Sequence, residues 1–317
     1  MSARAEALST RAGAVRTALA WTAVFVGGLA AGAAFAPIAN VALGALHLPV
    51  RWPFSRVFDR VAMAAALVAL IVCRRWTGWS QLAPLLRRGP AVERGAEVVA
   101  GLAAALAGVG AGVAWAVAHG RLGPPEVPID LVTNRSLSTL FGALVAASIE
   151  EVYFRGLLLG SLAERLRWPT AAALASALYA ATHLLASDSG FAVRGLEPTA
   201  GFRYLAHALT RQLEPAALPP LGGLFLAGLV LALVVRRSGS LFLAIGLHAG
   251  WAASFQILRR ASRVLGEIPG SSFLATHHHL IGTPWAWAAI ALAGALVLAG
   301  LALVQRHRTR VRRAATT

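Results

Sequence analysis

Apolar runs near the length of a bilayer crossing, about 20 residues, recur from one end of this chain to the other. A backbone in hydrocarbon must satisfy its own polar groups, so such runs can only be helices. Eight are expected, at about 17–40, 56–73, 95–118, 137–163, 169–187, 218–235, 239–257 and 283–304. The composition agrees: 57% of the 317 residues are hydrophobic and only 13% charged, whereas a soluble domain is nearer a quarter charged. The expected fold is an all-α polytopic membrane protein, about eight transmembrane helices in one bundle spanning 1–317, with a buried polar site. The run after MSARAEALSTRAGAVR is expected to be an uncleaved first span.

The formal net charge is +16, and all 29 basic residues are arginine. Nucleic-acid binding would also produce a basic excess. Here the arginines gather in short groups at the ends of apolar runs, where membrane topology uses them, so no nucleic-acid partner is expected. With the N-terminus placed in the cytoplasm, 17 arginines fall on that side and 11 on the other. A multi-pass protein of a bacterial plasma membrane, both termini cytoplasmic, is the expectation. Trp52, Trp76, Trp168, Trp285 and Trp287 lie near span ends, as in an aromatic belt. Cys73 is the only cysteine, which excludes an intrachain disulfide and a thiolate metal cluster. Gly101, Ala105, Gly108 and Gly112, at spacings near four, suit close packing of the third span in the bundle interior. No internal repeat of the inverted-transporter kind is visible.

Before the sixth span, FRYLAHALTRQL places Phe202, Leu205, Ala206, Leu209 and Leu213 on one helical face and Arg203, His207 and Arg211 among the polar positions. It reads as a helix along the membrane surface or as a soluble loop helix.

Ionisable residues inside spans cost several kcal/mol each and mark function by default. Three spans carry them near the middle: Glu150, Glu151 and Arg155 in the fourth, His183 in the fifth, His248 in the seventh. Counted from the cytoplasmic ends, Glu150, His183 and His248 lie at roughly 20, 21 and 14 Å. Three helices thus bring a carboxylate and two imidazoles to similar depth. Glu151 and Arg155 are i,i+4 and face each other, so the guanidinium keeps Glu151 ionised. Glu150 points about 100° away from that face. A carboxylate free of a local cation is the better general base. Tyr179 and His183 are also i,i+4, so the phenol could orient the imidazole or a substrate. A structural ion pair is the bland reading of Glu151–Arg155, and a core histidine held by a helix carbonyl is that of His183 or His248 alone. The run His277–His279 looks like a metal site but nothing orients it, and His207 reads as solvated.

These residues carry a recognisable pattern. EEVYFR at 150–155 is similar to the EExxxR motif of the CPBP family of intramembrane proteases, the CAAX-processing and bacteriocin-processing enzymes also called Abi. YAATH at 179–183 resembles its FxxxH motif, with tyrosine for phenylalanine. The segment from Leu224 to Phe255, with its Arg-Arg-Ser-Gly-Ser turn, resembles the helix, turn and HxxxN motif. The resemblance covers about 137–257; the three N-terminal spans (17–118) and the C-terminal span (283–304) lie outside it. It implies an intramembrane endopeptidase acting on a membrane-associated peptide or protein, with membrane lipid as its surroundings. Glu150 would deprotonate a water with His183 sharing the proton, and Glu151 with Arg155 would position Glu150. His248 would stabilise the tetrahedral intermediate. The family is also described as metal-dependent, so Glu150, His183 and His248 would make a three-ligand Zn site with an open fourth position. Were Glu150 a ligand, Glu151 would have to serve as base. One residue departs from the pattern: Ala252 stands where the asparagine, an oxyanion donor in the family, is expected. Ser254 or a backbone amide would then substitute, or the chain is a non-catalytic scaffold or immunity protein on the same fold.

Overall fold

The computed structural model describes residues 3–46, 52–87, 89–120, 129–185, 190–265 and 280–314. Among them there is no strand, and the chain is a polytopic all-α membrane protein. Its helices are α1 (Ala3–Ala45), α2 (Phe54–Val72), α3 (Trp79–Arg87) and α4 (Ala91–Ala118). A fifth, α5, begins as Ile129–Glu151, widens into a π-helical segment at Val152–Leu158 and resumes as Leu159–Ala163. Then come α6 (Trp168–Leu185), α7 (Ala200–Gln212), α8 (Leu218–Ser238), α9 (Phe242–Leu265) and α10 (Pro284–Ala314). Among the described residues, five stretches are long and apolar enough to cross a membrane: Val15–Ala45, Ala91–Ala118, Ser136–Ala163, Pro215–Ser238 and Pro284–His307. The other three expected spans form the helices α2, α6 and α9. The short helix α3, carrying Pro84, was not expected from the hydropathy pattern.

The core is built from helices brought close by small residues. α4 packs along α9 and α10. A methyl on Gly246 of α9 would run into the Val98 carbonyl of α4, so the two backbones nearly touch. The interior position expected for α4 holds for one face only: Ala105 and Gly108 are buried, while Val99, Leu106 and Trp115 are exposed. α8 and α9 are joined by a turn in which Gly239 adopts φ 66°, a left-handed conformation that favours glycine at a helix C-terminus. Ser238 Oγ donates to the Ser240 carbonyl (3.0 Å), and Ser240 Oγ donates to Glu97 of α4. That clamp fixes the start of α9, six residues before His248.

α7 is the helix expected of FRYLAHALTRQL. Its buried face is Ala200, Gly201, Tyr204 and Ala208, packed on α1. Phe202, Leu209 and Leu213, on the face assigned from hydrophobicity, are exposed. Beside a bilayer, apolar side chains can face lipid, while small residues and a tyrosine face protein.

Candidate active site

The site is assembled from α5, α6, α8 and α9. The first two carboxylates come from the end of the α-helical part of α5. Just beyond them the widened turn begins, and Leu159 N–H reaches the Phe154 carbonyl five residues back. Single-turn π segments inside α-helices concentrate at functional sites. Arg155 sits within this segment, and its Nη1 donates to Glu151 Oε1 at 2.9 Å. Its Nη2 donates to the Gly228 carbonyl of α8 at 3.3 Å. Glu151 and Arg155 are both buried. A buried charge must be paired and hydrogen-bonded, and this pair meets that need while tying α5 to α8.

His248 of α9 completes that arrangement. Its Nδ1 lies 2.9 Å from Glu151 Oε1, and its Nε2 lies 3.2 Å from the Tyr179 hydroxyl of α6. A carboxylate only accepts, so Nδ1 carries the proton and Nε2 takes the hydrogen bond from the phenol. His183 is oriented in the same manner: its Nδ1 lies 2.8 Å from the Tyr179 carbonyl and donates to it. The Nε2 of each imidazole faces Glu150, that of His248 while also accepting from the Tyr179 hydroxyl. Glu150 Oε2 is 3.0 Å from His183 Nε2 and 3.7 Å from His248 Nε2. Among the described residues, no hydrogen bond is aligned on that buried oxygen.

Glu150 Oε2 and His183 Nε2, 3.0 Å apart, need a proton or a cation between them. Ligand atoms of Glu150, His183 and His248 all lie within 4.8 Å of one another. Each histidine's second nitrogen is anchored, one by a carbonyl and one by a carboxylate, which is the usual support of a metal-bound imidazole. These three residues fit a tetrahedral cation such as Zn with one open position. Glu150 and His183 keep about a quarter of their side-chain surface exposed, while Glu151 and Arg155 keep almost none. The accessible side of the site is therefore the Glu150–His183 side.

The structure thus brings together Glu150, Glu151, Arg155, Tyr179, His183 and His248, as the sequence expectation required. Ala252 is partly buried and packs against the main core. Ser254 is buried, and among the described residues neither its hydroxyl nor the buried Trp251 indole N–H has a hydrogen-bond partner. His277–His279 lie outside the described residues. One group near the site was missed. Asp59 of α2 lies close enough to Glu150 and His183 for their charges to act on it, alongside those of Arg60 and Arg56. Its side chain is partly exposed, and Arg60 Nη1 stands 3.6 Å from it. Three arginine and aspartate residues at the start of a span read as an interfacial cluster. Only tertiary packing brings one of them within electrostatic range of Glu150 and His183.

One family model is similar to part of the chain. Residues 132–254 match the family described as type II CAAX prenyl endopeptidase Rce1-like. The match bears out the CPBP resemblance and contains every residue of the cluster except Asp59. No curated protein and no solved structure matches the chain.

Proposed function

We propose that this protein is an intramembrane endopeptidase of the CAAX-processing type, hydrolysing a peptide bond in a membrane-associated protein or peptide. The observation that carries the reading is the convergence of Glu150 Oε2 with the two imidazole Nε2 atoms. In this reading Glu150 takes a proton from a water held against His183, and the resulting hydroxide attacks the scissile carbonyl. His183 shares that proton and returns it to the leaving amine. Glu151 and Arg155 hold His248 rather than reacting: Glu151 Oε1 already accepts from both Arg155 and His248. Glu150 is thereby favoured over Glu151 as base. In the alternative in which Glu150, His183 and His248 hold a cation, that cation would supply Lewis-acid polarisation of the water and the carbonyl, and Glu150 would no longer serve as the base. The arginine distribution supports a topology with both termini cytoplasmic.

The test uses the full chain in liposomes and a mass-spectrometric screen of lipid-tailed, bilayer-anchored peptides. Glu150→Gln and His183→Ala are expected to lower turnover on the order of 1000-fold while preserving the folded, monodisperse protein. Wild-type turnover in either variant would sink the hydrolytic reading. A cellular phenotype fully retained by Glu150→Gln would favour the scaffold reading, which the alanine at 252 also suits.

A further inference from the structure

We infer that the Tyr179 hydroxyl donates the hydrogen bond that receives the negative charge developing on the scissile carbonyl oxygen. The inference rests on the hydrolytic reading of the same site. It starts from an inventory of donors. Glu150 and Glu151 only accept, and the described bonds of Arg155 go to Glu151 and the Gly228 carbonyl. The Nδ1–H of each histidine is engaged, by Glu151 for His248 and by the Tyr179 carbonyl for His183. Ala252 is one turn beyond His248 on the same helical face, and its methyl offers nothing. The Trp251 indole N–H and the Ser254 hydroxyl are buried donors on α9, but the phenol O–H is the one with a contact in the cluster, 3.2 Å from His248 Nε2, an atom that itself stands 3.7 Å from Glu150 Oε2.

This hydroxyl is preorganised. Tyr179 is buried. The Arg155 guanidinium lies 4.4 Å from its ring centroid, the His183 ring 4.1 Å, and the Phe154 ring meets it edge-on at 5.3 Å. The positive charge over the ring draws density from the oxygen and strengthens the O–H as a donor. Rotation about the C–O bond alone swings the proton from His248 Nε2 to a substrate oxygen. A fixed donor that needs no reorganisation as charge develops is what stabilises an oxyanion. Tyrosine at 179 and alanine at 252 are also the two positions where the motifs depart from the family pattern. On this assignment they are one change: a donor gained on α6 for a donor lost on α9.

The experiment uses the full chain in liposomes and any peptide that the wild type cleaves. Tyr179→Phe is expected to lower kcat about 100-fold or more with KM little changed. Tyr179→Phe combined with Ala252→Asn is expected to regain at least tenfold over Tyr179→Phe alone. A peptide aldehyde, whose hydrate imitates the tetrahedral state, should bind Tyr179→Phe more weakly, while an uncleavable reduced-amide peptide binds unchanged. Equal weakening of both ligands would mark Tyr179 as a positioning residue and overturn the assignment. So would wild-type kcat in Tyr179→Phe, or a comparable loss in Trp251→Phe with Tyr179→Phe unaffected, which would give the task to the indole. Absence of cleavage by the wild type itself would bring down the hydrolytic reading, and the inference with it.

Discussion

Two buried tyrosines, in two regions of the bundle, put the same hydroxyl to different use. Tyr204 of α7 sits in a peripheral cluster with Ala33 and Ala36 of α1 and Phe54 and Phe58 of α2. Three rings surround it, with centroids at 4.9 Å for Phe58, 5.3 Å for Phe191 and 5.8 Å for Phe54. Its hydroxyl donates to the carbonyl of Leu185, the last residue of α6, where a helix end leaves carbonyls without helical partners. Tyr179, in the central cluster, spends its hydroxyl on an imidazole instead. A carbonyl at a helix end needs its donor permanently. A histidine nitrogen can exchange its partner for another. The peripheral region therefore holds α6 in place, and the central one is the region to which the proposed reaction is assigned. Substitutions should separate the two, with loss of stability in the first and loss of turnover in the second.

The largest effect should come where the two properties coincide. Arg155→Leu removes the guanidinium that faces Glu151 and leaves a fully buried carboxylate. Breaking such a pair costs about 3–5 kcal/mol. Reversible unfolding in mixed micelles should show that loss, with turnover abolished as well. Next is Gly201→Leu, which drives a side chain into the Ala33 carbonyl of α1. About 1–3 kcal/mol of stability should be lost, while the folded fraction cleaves normally. Tyr204→Phe should cost about 1 kcal/mol and leave kcat unchanged, the mirror of Tyr179→Phe. A Tyr204→Phe variant that lost turnover without losing stability would break the contrast. The smallest effect is Asp59→Asn. Its carboxylate is partly exposed and flanked by arginine, so turnover should change less than about threefold at 0.1 M salt and more at low salt.

The sequence announced some of this and concealed the rest for identifiable reasons. Glu150, Glu151, Arg155, His183 and His248 stood out because charge inside an apolar run is costly and needs a cause. Spacing of four paired Glu151 with Arg155, and the structure places them 2.9 Å apart. What the spacing could not show was that Glu151 also holds His248, since that bond joins residues 97 apart in the chain. The helices were legible from hydropathy. The face that each one buries was not, as α7 shows, because lipid makes an exposed leucine as comfortable as a buried one. Asp59 stayed hidden for a related reason: aspartate near arginines at the start of a span is ordinary at an interface. The π segment left no mark in composition at all. Val152–Leu158 includes Gly156, a weak helix former, but weak propensity does not specify an extra residue in the turn.

That widened turn sets two parts of one helix out of phase. Upstream, Glu150 and Glu151 must point at the histidines. Downstream, Ser161 receives the Trp21 indole hydrogen bond at 2.7 Å, and Gly156 and Gly160 lie against Leu82 and Gln81 of α3. A regular α-helix turns 100° per residue, and one with an extra residue in a single turn loses about that angle between its ends. The segment therefore works like a gear offset on a shaft, letting a single helix mesh with two neighbours whose teeth are not aligned. Deleting one residue there would leave both halves helical and apolar, yet would rotate the working carboxylates away from their partners.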